Sequence, residues 1–217
     1  MNPSHYSLIL GPCARRSSLY LLLPLLTFLS AAATAFADPP SNDYFTNAFT
    51  LRGYRGAVSV PTAEATKEPL EPAHAGNAGG ASVWFQWTAA VAGQLTLDTT
   101  AANYDTVLAV YVGESLGSLV LVAANDDNPA MVPRSLVRFR VTAGETYRIA
   151  VDGFDGVRGQ AVLAWSFLPA PVNDNFADAL GITGLCGTVH NFSLAATREA
   201  NEPEHAGNVG GASVWFR

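Results

Sequence analysis

The chain has 217 residues, 12 of them Lys or Arg and 18 Asp or Glu, and a formal charge of −6. An acidic chain without a basic stripe excludes nucleic acid and anionic membrane surfaces as ordinary partners. Its two cysteines, Cys13 and Cys186, cannot supply a disulfide framework, so folding must rest on an apolar core, for which the length suffices.

Residues 1–37 read as a signal peptide. Arg15 and Arg16 precede the apolar run LYLLLPLLTFLSAAATAFA, which closes on the small-x-small triplet Ala35-Phe36-Ala37 before Asp38. Pro24, the alanine-rich end and the switch to DPPSND favour cleavage over retention as a membrane anchor. The expected product is secreted or displayed at the cell surface, has no membrane association after cleavage, and carries −8 once Arg15 and Arg16 are lost. Cys13 leaves with the leader. Cys186 stands where the first copy of a repeat described below has Arg55, and is expected to have no required chemical role.

Beyond the leader, NDYFTNAFTL can form one or two helical turns, capped by Asn42 or Asp43, with Phe45, Ala48 and Phe49 on one face. GAVSV is the first strand candidate. After a polar, glycine-rich stretch come SVWFQWTA, GQLTLDTT, TVLAVYVG, LVLVAAND, SLVRFRVT, TYRIAVDGF and QAVLAWSFL, spaced by about a dozen residues with Gly, Asn, Asp or Pro between most of them. This spacing predicts an all-β fold, an antiparallel β-sandwich of jelly-roll or Ig-like type with about 7–8 strands. Period-two alternation turns Val137, Phe139 and Val141 inward against Arg138 and Arg140, and Leu95 and Leu97 inward against Thr96 and Asp98. In SVWFQW the inward set is Val83, Phe85 and Trp87, which puts Trp84 on the opposite face, expected under the cover of the glycine loop.

EPAHAGNAGGASVWF at 71–85 returns as EPEHAGNVGGASVWF at 202–216, and Asn42-Asp43 and Ala65-Thr66 return as Asn173-Asp174 and Ala196-Thr197, always 131 positions later. A period of that length reads as tandem whole domains. The expected organisation is a signal peptide at 1–37, a first sandwich at 38–168, a proline-rich tether at 169–172, and the N-terminal part of a second, truncated copy at 173–217. A sandwich with only its first third would leave sheet edges uncovered, so the chain is expected to be the front of a longer polypeptide with partner domains downstream.

The motifs NDxFxxA, ATxExxEPxHAGNxGGxSVWFxW, YDTVLAVYVG, ANDD and AGETYRIAVDG, in that order, resemble the bacterial pre-peptidase C-terminal domain family over residues 42–167, with a partial second match over 173–217. The resemblance implies a non-catalytic β-sandwich appended to exported enzymes or strung in arrays. It also implies a distant likeness to the collagen-binding modules of clostridial collagenases, which bind Ca²⁺ near an Asn-Asp pair. Asn42-Asp43 and Asn173-Asp174 match that pair, whereas the acidic residues that flank it in those modules are not present, Asp38 aside.

Ca²⁺ takes six to eight oxygens drawn from several loops. The candidate ligands are Asn42, Asp43 and Glu71, with Asn173, Asp174 and Glu202 as their equivalents; Glu68 and Glu199 accompany them. Asp105, Asp126 and Asp127 also carry oxygens, but read first as strand-end and loop residues. His74 and His205, each three residues after a Glu, suggest a zinc ligand pair or a general base. They lack a second His, a helix to align them and a nucleophile, so the imidazole is expected to hydrogen-bond the loop backbone. The glycines are not a phosphate loop, since no Lys-Ser/Thr follows and the next element is a strand; they are expected to allow positive φ and packing beside Trp84.

No His-Glu-x-x-His, no Gly-x-Ser-x-Gly and no repeated pair of acids is present, so no catalytic residue is assigned. The leading expectation is a non-catalytic spacer, stabilising or targeting module. One alternative is a module that binds a polysaccharide or fibrous protein through Tyr111, Tyr147 or Trp165. The other is the front of a secreted hydrolase whose catalytic domain lies past residue 217.

Overall fold

The computed structural model describes residues 38–130 and 132–217, and the signal-peptide expectation lies outside them. Among the described residues nine strands occur, β1 (Phe49–Thr50), β2 (Arg55–Pro61), β3 (Val83–Thr88), β4 (Gly93–Asp98), β5 (Thr106–Val112), β6 (Val120–Asn125), β7 (Leu136–Val141), β8 (Thr146–Gly153) and β9 (Gln160–Pro169). They form a five-stranded sheet in the order β1-β3-β8-β5-β6 and a four-stranded sheet in the order β2-β9-β4-β7. The fold is a β-sandwich, and each strand expected from the alternation is found. Among the described residues no helix is long and apolar enough to cross a membrane.

The inner faces follow the period-two reading. Val83, Phe85 and Trp87 of β3, Leu95 and Leu97 of β4, Leu108 and Val110 of β5, Val137, Phe139 and Val141 of β7, Ile149 and Val151 of β8, and Leu163 and Phe167 of β9 join one buried cluster. Cross-strand register supports the same layers, with Leu95 opposite Phe139 and Phe167, and Phe85 opposite Ile149.

Two departures concern the start of the domain. The helix expected at NDYFTNAFTL is a single 3-10 turn, Phe45–Asn47, preceded by Tyr44 without a side-chain cap. Asn42 and Asp43 do not cap it because their side chains are engaged elsewhere, and Phe49 is exposed instead of sharing the face of Phe45. The chain then enters the sheet as the two-residue β1, which pairs parallel to β3, so the five-stranded sheet is mixed where an antiparallel one was expected. At the other end β9 runs to Pro169, which lies opposite Gly93, one residue into the expected tether.

The five-stranded sheet is covered on both sides. Trp84, Ala109, Tyr111 and Ala150 on its outer face pack with Phe45 as a second buried cluster, beneath the first turn and the loop 62–82. This accounts for the continuous apolar run of β5, where six successive residues are buried: a strand with water on neither face has no reason to alternate.

Candidate functional site

The loop between β2 and β3 is held down by buried polar side chains. Trp84 lies under it, fully buried, with Phe45 edge-on at 5.2 Å and His74 edge-on at 5.5 Å between ring centroids. The expected cover is therefore present, and it consists of an imidazole and a phenyl ring.

His74 sits at the centre. Its Nε2 lies 2.8 Å from Glu71 Oε1 and its Nδ1 2.8 Å from the Tyr111 hydroxyl of β5, and the side chains of Glu71 and His74 are both 0 % exposed. The imidazole thus bonds two side chains, where bonding to loop backbone was expected. Tyr111 stands outside any motif that pairs it with His74, and only the sheet brings the two together across 37 positions.

Asp152, near the end of β8, is the other fixed point, also 0 % exposed. Its carboxylate accepts from the N–H groups of Gly80 at 3.1 Å, Ala81 at 2.9 Å and Gly153 at 2.7 Å. Gly79 has φ +57°, and a Cβ there would overlap the Asp152 carboxylate. The loop glycines therefore close on Asp152, where packing beside Trp84 was expected. Asn77 Oδ1 adds a clip by accepting from Gly79 N at 2.8 Å and from Asp155 N at 3.1 Å.

Glu71, His74 and Asp152 offer ligand atoms that all lie within 4.8 Å of one another. Burial alone would raise the Glu71 carboxyl, but hydrogen bonds from His74, Ser82 and the Glu68 N–H, together with the charge of His74, hold it below the ordinary carboxylate value. Burial and the neighbouring Glu71 charge push the Tyr111 hydroxyl up to about 12, so it stays protonated as a hydrogen-bonding group.

The residues expected to bind Ca²⁺ are each hydrogen-bonded to a different part of the protein. Asn42 exchanges two bonds with the Trp84 backbone, its side-chain amide donating to the carbonyl at 3.0 Å and its own carbonyl accepting at 2.9 Å. Asp43 takes the Thr66 N–H at 2.6 Å on one oxygen and the Thr66 hydroxyl at 2.8 Å on the other. Glu71 Oε2 accepts from Glu68 N at 3.0 Å, and Glu68 in turn accepts from Phe45 N at 2.5 Å. The effect is to tie the start of the domain to the loop and to β3.

The second copy repeats this wiring. Thr197 donates to Asp174 at 2.5 and 2.7 Å, Asn173 Nδ2 to Trp215 O at 2.8 Å, Glu199 N to Glu202 at 2.9 Å, and His205 Nε2 lies 2.9 Å from Glu202. Backbone angles recur too: φ is +73° at Leu70 and +67° at Asn201, +49° at Ala75 and +53° at Ala206.

Of the aromatics considered for ligand binding, Tyr111 and Tyr147 are buried and Trp165 is half-buried. Tyr111 lies beneath the loop, Tyr147 packs on Phe139 and accepts from Thr142 N, and Trp165 turns toward the core. They form no exposed platform.

Asp105 and Asp126 lie close to one another and to Asp127 and Asp155. Burial first, then the charges of neighbouring aspartates, raises both carboxyls, with Arg134 partly offsetting the effect at Asp105.

No family model matches the sequence, and no curated protein is significantly similar to it. Several solved structures are similar, among them the following two. One is the pre-peptidase C-terminal domain of a collagenase from Bacillus anthracis, at 12 % identity and a TM-score of 0.36, covering 55 % of this chain and 94 % of that one. The other is PliG of Aeromonas hydrophila, a periplasmic inhibitor of g-type lysozyme, at 11 % identity and a TM-score of 0.37, covering 56 % of this chain and 96 % of that one. The first of these carries the name of the family that the sequence motifs resemble.

Proposed function

We propose that the chain is a non-catalytic module of an exported protein that spaces, stabilises or targets the domains joined to it. The observation that carries this reading is the complete burial of the Glu71 and His74 side chains. A general base must reach a substrate proton, and here the one imidazole paired with a carboxylate in the first copy lies under the loop, bonded on both nitrogens. The wiring repeated in the second copy supports the same reading, since it joins chain segments to one another.

The test is a fusion of residues 38–170 to a fluorescent reporter, mixed with insoluble polysaccharides and with collagen-type fibres. The spacer reading expects no retention on either above the reporter alone. Saturable retention would replace it with the adhesion reading, and turnover of chromogenic ester, peptide or glycoside substrates would overturn both.

A further inference from the structure

We propose that Glu71, His74 and Asp152 form a binding site for a divalent transition-metal ion of the zinc type, which locks the loop 62–82 onto the five-stranded sheet. In sequence the Glu-His pair lacks a third ligand, and the fold supplies one from 78 positions further on. The three donors lie within 4.8 Å of one another, and all three side chains are fully buried. Imidazole nitrogen with carboxylate oxygen is a donor set that suits Zn²⁺ and its neighbours, whereas Ca²⁺ and Mg²⁺ favour oxygen alone.

Charge is the second argument. Two carboxylates share this enclosure with a single imidazole, and among the described residues neither has a lysine or arginine partner. Even with His74 protonated the enclosure keeps a net charge of −1, held by the backbone N–H groups on Asp152 instead of by a cation. A divalent ion removes that excess. Zinc bonded at its usual lengths separates neighbouring donors by roughly 3.3 Å, so Glu71 Oε1 and His74 Nε2 need only part slightly from their present 2.8 Å. The proton held between those two atoms leaves to solvent as the metal enters.

The surroundings already orient each ligand in the way a metal site requires. Tyr111 Oη lies on His74 Nδ1 and fixes the ring so that Nε2 faces the Glu71 carboxylate, the Glu68 N–H holds Glu71 Oε2, and the N–H groups of Gly80 and Ala81 hold Asp152. None of these bonds uses the Glu71 Oε1 to His74 Nε2 gap.

Calorimetric titration of the chelator-stripped chain with Zn²⁺ should show one strongly bound ion, release of a proton, and a melting temperature that rises with Zn²⁺; added Ca²⁺ should not compete. Glu71→Gln keeps an acceptor for Glu68 N and a donor for His74, so it preserves the fold while removing the charge, and should weaken binding at least about 10-fold. Tyr111→Phe should weaken it about 10-fold through ring orientation, and His205→Gln should leave it unchanged. Absence of Zn²⁺ uptake by the native chain, equal affinity in Glu71→Gln, or loss of binding in His205→Gln would each overturn the site, the last by moving the ion to the exposed pair of the second copy.

Discussion

Leu70 is 82 % exposed at φ +73°, a left-handed conformation that costs a branched side chain about 1–2 kcal/mol. The second copy has Asn201 at the same place, a residue that tolerates it. Leu70→Asn should therefore stabilise the domain by about 1 kcal/mol in a denaturant titration, and an unchanged midpoint would show that the loop relaxes when isolated from strain. Asp43 is a contrasting case, since both its oxygens hold Thr66. Asp43→Ala leaves a part-buried N–H and hydroxyl without their charged acceptor and should cost about 2–3 kcal/mol. With those oxygens so engaged, the same loss is expected in millimolar Ca²⁺ and in excess chelator; a loss seen only with Ca²⁺ would instead assign the ion to Asn42, Asp43 and Glu71. For Glu71 the folded carboxyl lies below its ordinary value of 4.5, so its contribution to stability is complete above that value and disappears as pH falls through the lowered one. The difference in melting temperature between the native chain and Glu71→Gln, measured without metal, should accordingly be widest near neutral pH and shrink in acid. Residue identity alone announced the Glu-His pair and the buried Trp84. It did not announce Asp152, because a carboxylate in TYRIAVDGF looks like any strand-end aspartate until the loop glycines are seen to close on it.

At the scale of elements, the strands were legible and the loop was not. Alternation in LVRFRV and GQLTLD reflects one wet and one dry face, and it identifies β7 and β4 without ambiguity. The helical turn was expected at its place but not its 3-10 form, and β1 escaped because two residues are too few to show a period; what places both is the set of bonds to Glu68 and to β3. The same ambiguity explains Tyr111: β5 shows no polar residue after Thr106, so its outward residues could be read as exposed, when a loop from an earlier part of the chain covers them. Two glycines of that loop separate backbone freedom from close packing. Gly76 and Gly79 both have positive φ, but a Cβ on Gly76 meets nothing whereas one on Gly79 overlaps Asp152. Gly76→Ala should cost about 1 kcal/mol from backbone strain alone. Gly79→Ala should cost clearly more, and it should also raise amide exchange at Gly80 and Ala81, whose N–H groups Asp152 holds; equal losses in the two variants would mean that the loop is not seated on Asp152.

For the whole molecule, the two copies form a natural comparison between the same wiring with and without a sandwich beneath it. All nine strands precede Ala170, and residues 173–217 contribute only a 3-10 turn, isolated bridges and the loop bonds. The consequence is visible in exposure. Phe176 is 66 % exposed where Phe45 is 5 %, and the His205 side chain is 51 % exposed where that of His74 is 0 %. The local hydrogen bonds are nearly identical in length in the two copies, so they are not what buries the rings; β5 and β8, through Ala109, Tyr111 and Ala150, do that in the first copy. Hydrogen bonds exposed to water contribute little net stability, and apolar burial supplies the larger share. Residues 38–170 expressed alone should accordingly give a monomer with β-type circular dichroism and one cooperative melt. Residues 173–217 alone should give a random-coil spectrum and no transition, despite holding the loop bonds that the two copies share. A cooperative transition in the short segment would show that the loop carries its own stability and that the sheet beneath it is not required.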